Sequence, residues 1–241
     1  MSKKINEKLK QLYSKDWEVY NQSIKDWEIK YPSKGMTNPL CLAVTDEYLL
    51  ADLKVIIFGQ ETNGWCDEIK YGNIEKMQNK YLSFYNGGKF DKHKGQFKNA
   101  FNYIVKGLRE EYSDKKIGFV WNNIIKRGKE NGKGRPLEDI YKIEKEHFNV
   151  ISQEIDILKP DIIIFLTGPY YDKNIRHVFK IEQSEFVKTD GFTERQLAIV
   201  NNTGAKIAIR TYHPNYLYRV RGKKKYTDYF NTIMSQIKNA L

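Results

Sequence analysis

Four short apolar runs, at 54–59, 117–121, 161–166 and 205–210, constrain the fold of this chain more than any other feature. Two of them, Val55-Ile56-Ile57-Phe58 and Ile162-Ile163-Ile164-Phe165-Leu166, are apolar at successive rather than alternate positions, the pattern of strands buried on both faces. Helical stretches lie between and after them, at about 96–111, 137–158 and 224–240. Strands alternating with helices imply βαβ crossovers. The expected fold class is therefore α/β, three layers (α/β/α) around a central four-stranded, mostly parallel sheet.

Residues 4–30 read as one or two amphipathic helices, with Ile5, Leu9, Leu12, Trp17, Tyr20, Ile24 and Trp27 as their buried positions. Tyr31-Pro32-Ser33-Lys34-Gly35 ends them. The segment Lys-Asp-Trp-Glu recurs at 15–18 and 25–28, too short a unit for a repeat architecture. No stretch rich in Pro, Gly or Ser splits the chain, and Lys126–Arg135 reads as a long surface loop. The expected division is an N-terminal helical extension, 1–45, and one α/β domain, 46–241.

Forty-one Lys and Arg against thirty Asp and Glu give a net charge of +11. Such an excess favours a polyanionic partner, because phosphates held by Lys and Arg release condensed counterions. Seventeen tyrosines suit stacking on bases as well as core packing. The only cysteines, Cys41 and Cys66, fit neither a zinc site nor a disulfide framework. A reducing, cytoplasmic setting is expected. No apolar run is long enough to span a bilayer, so no membrane partner is expected.

The chemistry gathers where the strands end. The first run breaks into Gly59-Gln60-Glu61, the second into Asn122-Asn123, the third into Thr167-Gly168-Pro169 and the fourth into His213-Pro214. In a parallel sheet these ends share one edge, the crevice where α/β proteins bind ligands. A carboxylate, an amide and an imidazole would meet there, with Leu217, Arg219, Arg221 and Lys223 following the last strand.

These residues resemble motifs of the uracil-DNA glycosylase superfamily. Gly59-Gln60-Glu61 is similar to its Gly-Gln-Asp-Pro-Tyr, with Glu for Asp. His213-Pro214-Asn215-Tyr216-Leu217 is similar to His-Pro-Ser-Pro-Leu, and Arg221-Gly222 matches a trailing Arg-Gly pair. Asn123-Ile124-Ile125-Lys126 looks like the Asn-Val-Val-Lys of some members, and Pro160-Asp161 precedes the third strand as it does there. The resemblance covers roughly 50–240.

The resemblance implies a DNA glycosylase that flips out a nucleotide and hydrolyses its N-glycosidic bond without metal or cofactor. His213 would donate to the departing base, and Glu61 would stabilise the oxocarbenium-like sugar and handle water. Gln60 and Asn123 would bind the base, or Asn122 if the register slips by one, with Phe84 stacked on its face. Leu217 would wedge into the vacated stack, and Arg219, Arg221, Lys223 and their neighbours would hold phosphates. The protein would act as a monomer.

Three departures bear on substrate. Asn63 stands where uracil-specific members place a Tyr that blocks the thymine methyl. Thr62 replaces a rigid proline. Glu61 adds one methylene, about 1.5 Å of reach. Two cysteines cannot hold the iron–sulfur cluster of the thermophile-type members. Three readings follow: excision of uracil or a related deaminated base, excision of a bulkier modified base, or a DNA-binding module that keeps the fold without catalysis.

Overall fold

The computed structural model describes residues 1–32, 34–65, 72–130, 134–219 and 225–241. All four expected strands form: β1 (Leu53–Gly59), β2 (Ile117–Asn123), β3 (Ile162–Phe165) and, last in the sheet's chain order, β6 (Ile207–Thr211). They lie in the order β2-β1-β3-β6, all parallel. The sheet nevertheless has six strands rather than four. β4 (Phe186–Lys188) and β5 (Leu197–Val200) extend it antiparallel beyond β6. Three and four residues long and followed by Asn201-Asn202, they are too short to show a periodicity of their own.

Side chains alternate between two cores, one on each face. Ile56, Phe58, Ile163 and Phe165 enter the first, Val55, Ile57, Ile162 and Ile164 the second. The first is covered by α1 (Ser2–Ser14), α2 (Trp17–Lys30), α3 (Asp46–Leu49), α4 (Ile74–Tyr85), α7 (Glu138–His147), α8 (Ile151–Leu158) and α9 (Asp172–Phe179). The second is covered by α5 (Lys89–Lys92), α6 (Gln96–Glu111), α10 (Pro214–Leu217) and α11 (Tyr226–Ala240). The 137–158 helix is two helices, broken at Phe148-Asn149-Val150, where Phe148 turns inward to stack on Tyr20. Among the described residues no helix is long and apolar enough to cross a membrane.

The N-terminal helices supply Leu9, Tyr13, Tyr20, Ile24 and Trp27 to the first core. Tyr13 also reaches a buried polar cluster, donating to Glu154 Oε1 at 2.6 Å and accepting from the Leu42 amide at 3.0 Å. There Lys126 Nζ meets both Glu154 oxygens, at 2.7 and 2.8 Å, and the Asn122 carbonyl at 2.7 Å. The Lys126 and Glu154 side chains are 1% and 0% exposed, so the pair is shut from solvent.

This corrects the reading of Lys126–Arg135 as a surface loop. Its first three residues are buried. The Lys126 and Arg127 amides donate to the Glu144 carboxylate at 2.8 and 3.0 Å, and the Arg127 guanidinium lies 4.6 Å from the centre of the Tyr20 ring. Lysine and arginine look like surface residues until a buried carboxylate or ring is found for each.

A buried pair is costly to break singly, because the survivor is left charged without a partner. Lys126→Met is expected to lose about 3–5 kcal/mol. Lys126→Met with Glu154→Leu should recover part of that loss in urea denaturation. A double variant less stable than the single one would show that the pair does not act as a unit.

Candidate active site

Chain direction reverses about β1. The chain passes from β1 to β2 on one side and then crosses to β3 on the other, so the crevice lies where the ends of β1 and β3 diverge. The loops there are tied together. Gln60 Nε2 donates to the Thr167 carbonyl at 2.7 Å, the Ile124 and Ile125 amides donate to the carbonyls of Gly59 and Gln60, and the Gly168 amide donates to Thr211. Gln60 thus uses its side-chain donor as a strap between loops.

Glu61 follows, half-buried, with Oε2 accepting from the Tyr171 hydroxyl at 2.5 Å. Burial pushes its carboxyl above the ordinary value, while the Tyr171 bond and then the Arg135 and Lys129 charges pull it back. Thr62 is buried, its hydroxyl 2.6 Å from that of Thr37. A Cβ at position 128 would lie 1.8 Å from the Thr62 carbonyl oxygen, so only glycine lets the two loops close. Rigidity comes here from side-chain and backbone contacts rather than from a proline ring. Asn63 is exposed.

β2 separates its two asparagines by the alternation of a strand. Asn122 belongs to the buried cluster: its carbonyl accepts from Lys126 and the Asn123 amide, and its Nδ2 donates to Glu154. Its Oδ1 and one Nδ2–H are engaged inside that cluster and its side chain is fully buried there. Asn123 Oδ1 accepts from Trp121 Nε1 at 3.2 Å, and its buried Nδ2 has no hydrogen-bond partner. A Cβ at Gly59 would lie 2.5 Å from that Oδ1 and 3.1 Å from the Phe97 ring, so the absent side chain makes room for both. Thr167 Oγ1, at the end of β3, is a second buried polar atom without a partner. Thirteen side-chain atoms are buried without hydrogen-bond partners among the described residues, and these two are set apart by their place at the strand ends.

His213 caps α10, its Nδ1 accepting from the Asn215 amide at 3.2 Å. An acceptor Nδ1 places the proton of the neutral ring on Nε2, making it the donor. Burial lowers its pKa to about 4, so the ring is neutral at ordinary pH. Phe97, near the start of α6, lies almost parallel to it, with ring centres 6.3 Å apart. Phe97 therefore sits between Gly59 and His213. Its apolar period within α6 reads as core and conceals this position.

Phe84 packs into a ring cluster with Trp65, Phe90 and Trp121, and Trp121 in turn donates to Asn123. Leu217 is 5% exposed in the second core, so the wedge role is not open to it in this conformation. The short α10 turns Leu217 inward and leaves Tyr216 and Tyr218 exposed at 50% and 38%. Arg219 is exposed beyond them. Arg221 and Lys223 lie outside the described residues, as does Cys66, whereas Cys41 is buried. Among the described residues no group of three or more His, Cys, Asp or Glu is placed to hold a metal ion.

Two titrations follow. Tyr171→Phe removes a bond that holds the Glu61 carboxyl down, so its pKa should rise further when followed by NMR. A pKa that falls or stays put would mean that the bond does not stabilise the carboxylate. For His213, an unfolded chain takes up a proton near 6.5 that the folded one refuses until about 4. Its contribution to stability is present above 6.5 and lost as pH falls toward 4. Asn at 213 keeps a capping acceptor. His213→Asn should therefore lose less stability than the parent between pH 7.5 and 4.5, read from urea midpoints. An equal loss in both proteins would place the low-pH transition elsewhere.

No protein-family model matches this chain, and a search of curated proteins finds no relative.

Proposed function

We propose that this protein is a DNA glycosylase, hydrolysing the N-glycosidic bond of a flipped-out uracil or related deaminated or modified base. The observation that carries the proposal is the unpartnered amide donor of Asn123, buried beside Gly59 and Phe97, at the sheet edge where a desolvated carboxylate follows β1 and a neutral imidazole follows β6. A base edge supplies the acceptor that Asn123 lacks, and Phe97 supplies a ring for the base to lie against.

In this mechanism the C1′–N bond breaks and its electron pair leaves with the base. His213 Nε2–H donates to the base oxygen where that charge collects, a bond worth more in the transition state than before it. A neutral donor does this without surrendering its proton. Glu61 faces the sugar as C1′ becomes cationic, and it takes the proton of the water whose oxygen bonds to C1′. Tyr171 holds Oε2, fixing the plane of the longer side chain, and Oε1 meets the water. Arg219 and the basic stretch after it hold phosphates.

The exposed Asn63 favours a second reading within the same chemistry, excision of a base with a substituent at C5. An amide in open solvent leaves space where an aromatic ring would exclude a methyl group.

The test is release of base from oligonucleotides carrying uracil, hypoxanthine, a mismatched thymine or modified cytosines, scored as alkali-labile abasic sites. Glu61→Gln is expected to abolish release. His213→Ala should slow it by about 10²–10³, the effect of removing one donor to a developing anion. Binding of DNA without abasic sites on any substrate would leave the non-catalytic reading instead.

A further inference from the structure

Beyond Tyr171 the chain lines a second cleft, of about 620 Å³, within the size range of ligand sites. Four cations border it: Arg135 from the loop after β2, Lys173 and Arg176 on α9, and Arg195 before β5. Two carboxylates share the lining, and both are engaged. Asp172 is gripped by the buried Arg210 through two contacts of 2.8 and 2.9 Å, and Glu194 accepts from Gln183 at 2.6 Å. The cations carry spare donors. Nε of Arg135 and Nε of Arg176 are buried without hydrogen-bond partners, while Arg135 Nη2 pairs with Glu138 Oε2 at 3.7 Å, beyond hydrogen-bond reach. Such guanidinium donors suit a phosphate.

The cleft also presents an aromatic face. Tyr170 is 80% exposed, the most exposed large hydrophobic residue of the described chain, with the Arg195 guanidinium 5.5 Å from its ring centre. An exposed ring bordered by cations offers a base a face to stack on and its phosphate a partner. Its sequence neighbour Tyr171 holds Glu61, and Arg135 lies 5.9 Å from the Tyr171 ring. The cleft therefore adjoins the proposed excision site through Tyr171.

We infer that this cleft binds one unpaired nucleotide of single-stranded DNA, its base stacked on Tyr170 and its phosphate held by Arg135 and Arg176. An unpaired base is specified because paired bases bury their faces in the duplex and cannot stack on a protein ring. This inference deepens the glycosylase reading by naming the form of the strand, but binding can be measured whether or not any base is released.

The experiment is fluorescence anisotropy with a labelled single-stranded oligonucleotide lacking any modified base, alongside the same sequence as a duplex. Single strand should bind more tightly than duplex. Tyr170→Ala should weaken it by about 5- to 150-fold, the value of one stacked base, and Tyr170→Phe should restore it. Arg176→Ala should reduce the slope of log affinity against log salt by about 0.7, one phosphate on a single strand. Equal affinity for duplex and single strand, or single-strand binding indifferent to Tyr170→Ala, would overturn the inference. Binding that depends on Tyr170 in a protein that releases no base would sustain the inference and defeat the glycosylase reading.

Discussion

The ammonium group of Lys126, enclosed with the Glu154 carboxylate, is the constraint on which the rest of this structure depends. Removing two charges from water costs several kcal/mol each, and the cost is offset only when every donor and acceptor finds a partner. Tyr13 and Asn122 complete that set. Tyr13 brings the N-terminal helices into the first core, and Asn122 fixes the register at the end of β2. With Asn122 drawn to one face of the sheet, Asn123 must present its amide on the other. A buried polar cluster thus decides which of the two asparagines is left with an unpaired amide.

Desolvation acts on Glu61 and His213 in opposite senses, since it disfavours whichever form is charged. It lifts the carboxyl and lowers the imidazole to about 4, so the imidazole titrates below the carboxyl, the reverse of their ordinary order. The partners differ in kind as well. A hydroxyl with two nearby cations retains the anion of Glu61, whereas among the described residues the histidine ring accepts from a backbone amide. One group is equipped to hold negative charge and the other to donate without becoming positive. This division suits a reaction in which the sugar turns cationic as the base turns anionic.

The four parallel strands are legible in the sequence because their Ile- and Val-rich runs are covered on both sides. The carboxylate and the imidazole are legible because they stand where those runs break. Other features escape because their signals are local to the folded state. Strands β4 and β5 are stabilised by pairing along the edge of β6 and carry no pattern of their own. Leu217 sits in a motif position, yet a single helical turn decides whether it faces core or solvent. Phe97 occupies an ordinary apolar position of α6 and becomes part of the crevice only because Gly59, distant in sequence, leaves space for it. The buried fate of Lys126 and Arg127 requires Glu154, Glu144 and Tyr20, three partners contributed by three separate helices.

The contact between Gly128 and Thr62 joins the loops after β1 and β2 into a single wall, further pinned by Thr37 from the N-terminal segment. Close-packed interiors transmit displacement rather than absorb it, so this wall moves as one body or not at all. The opposite wall, made by the turns after β3 and β6, carries the exposed Tyr170, Tyr216 and Tyr218 and the exposed Arg219. Evolution toward a larger or smaller ligand would therefore remodel the tyrosine-bearing side and leave the carboxylate side unchanged. The chain is built as a fixed anvil facing an adaptable jaw.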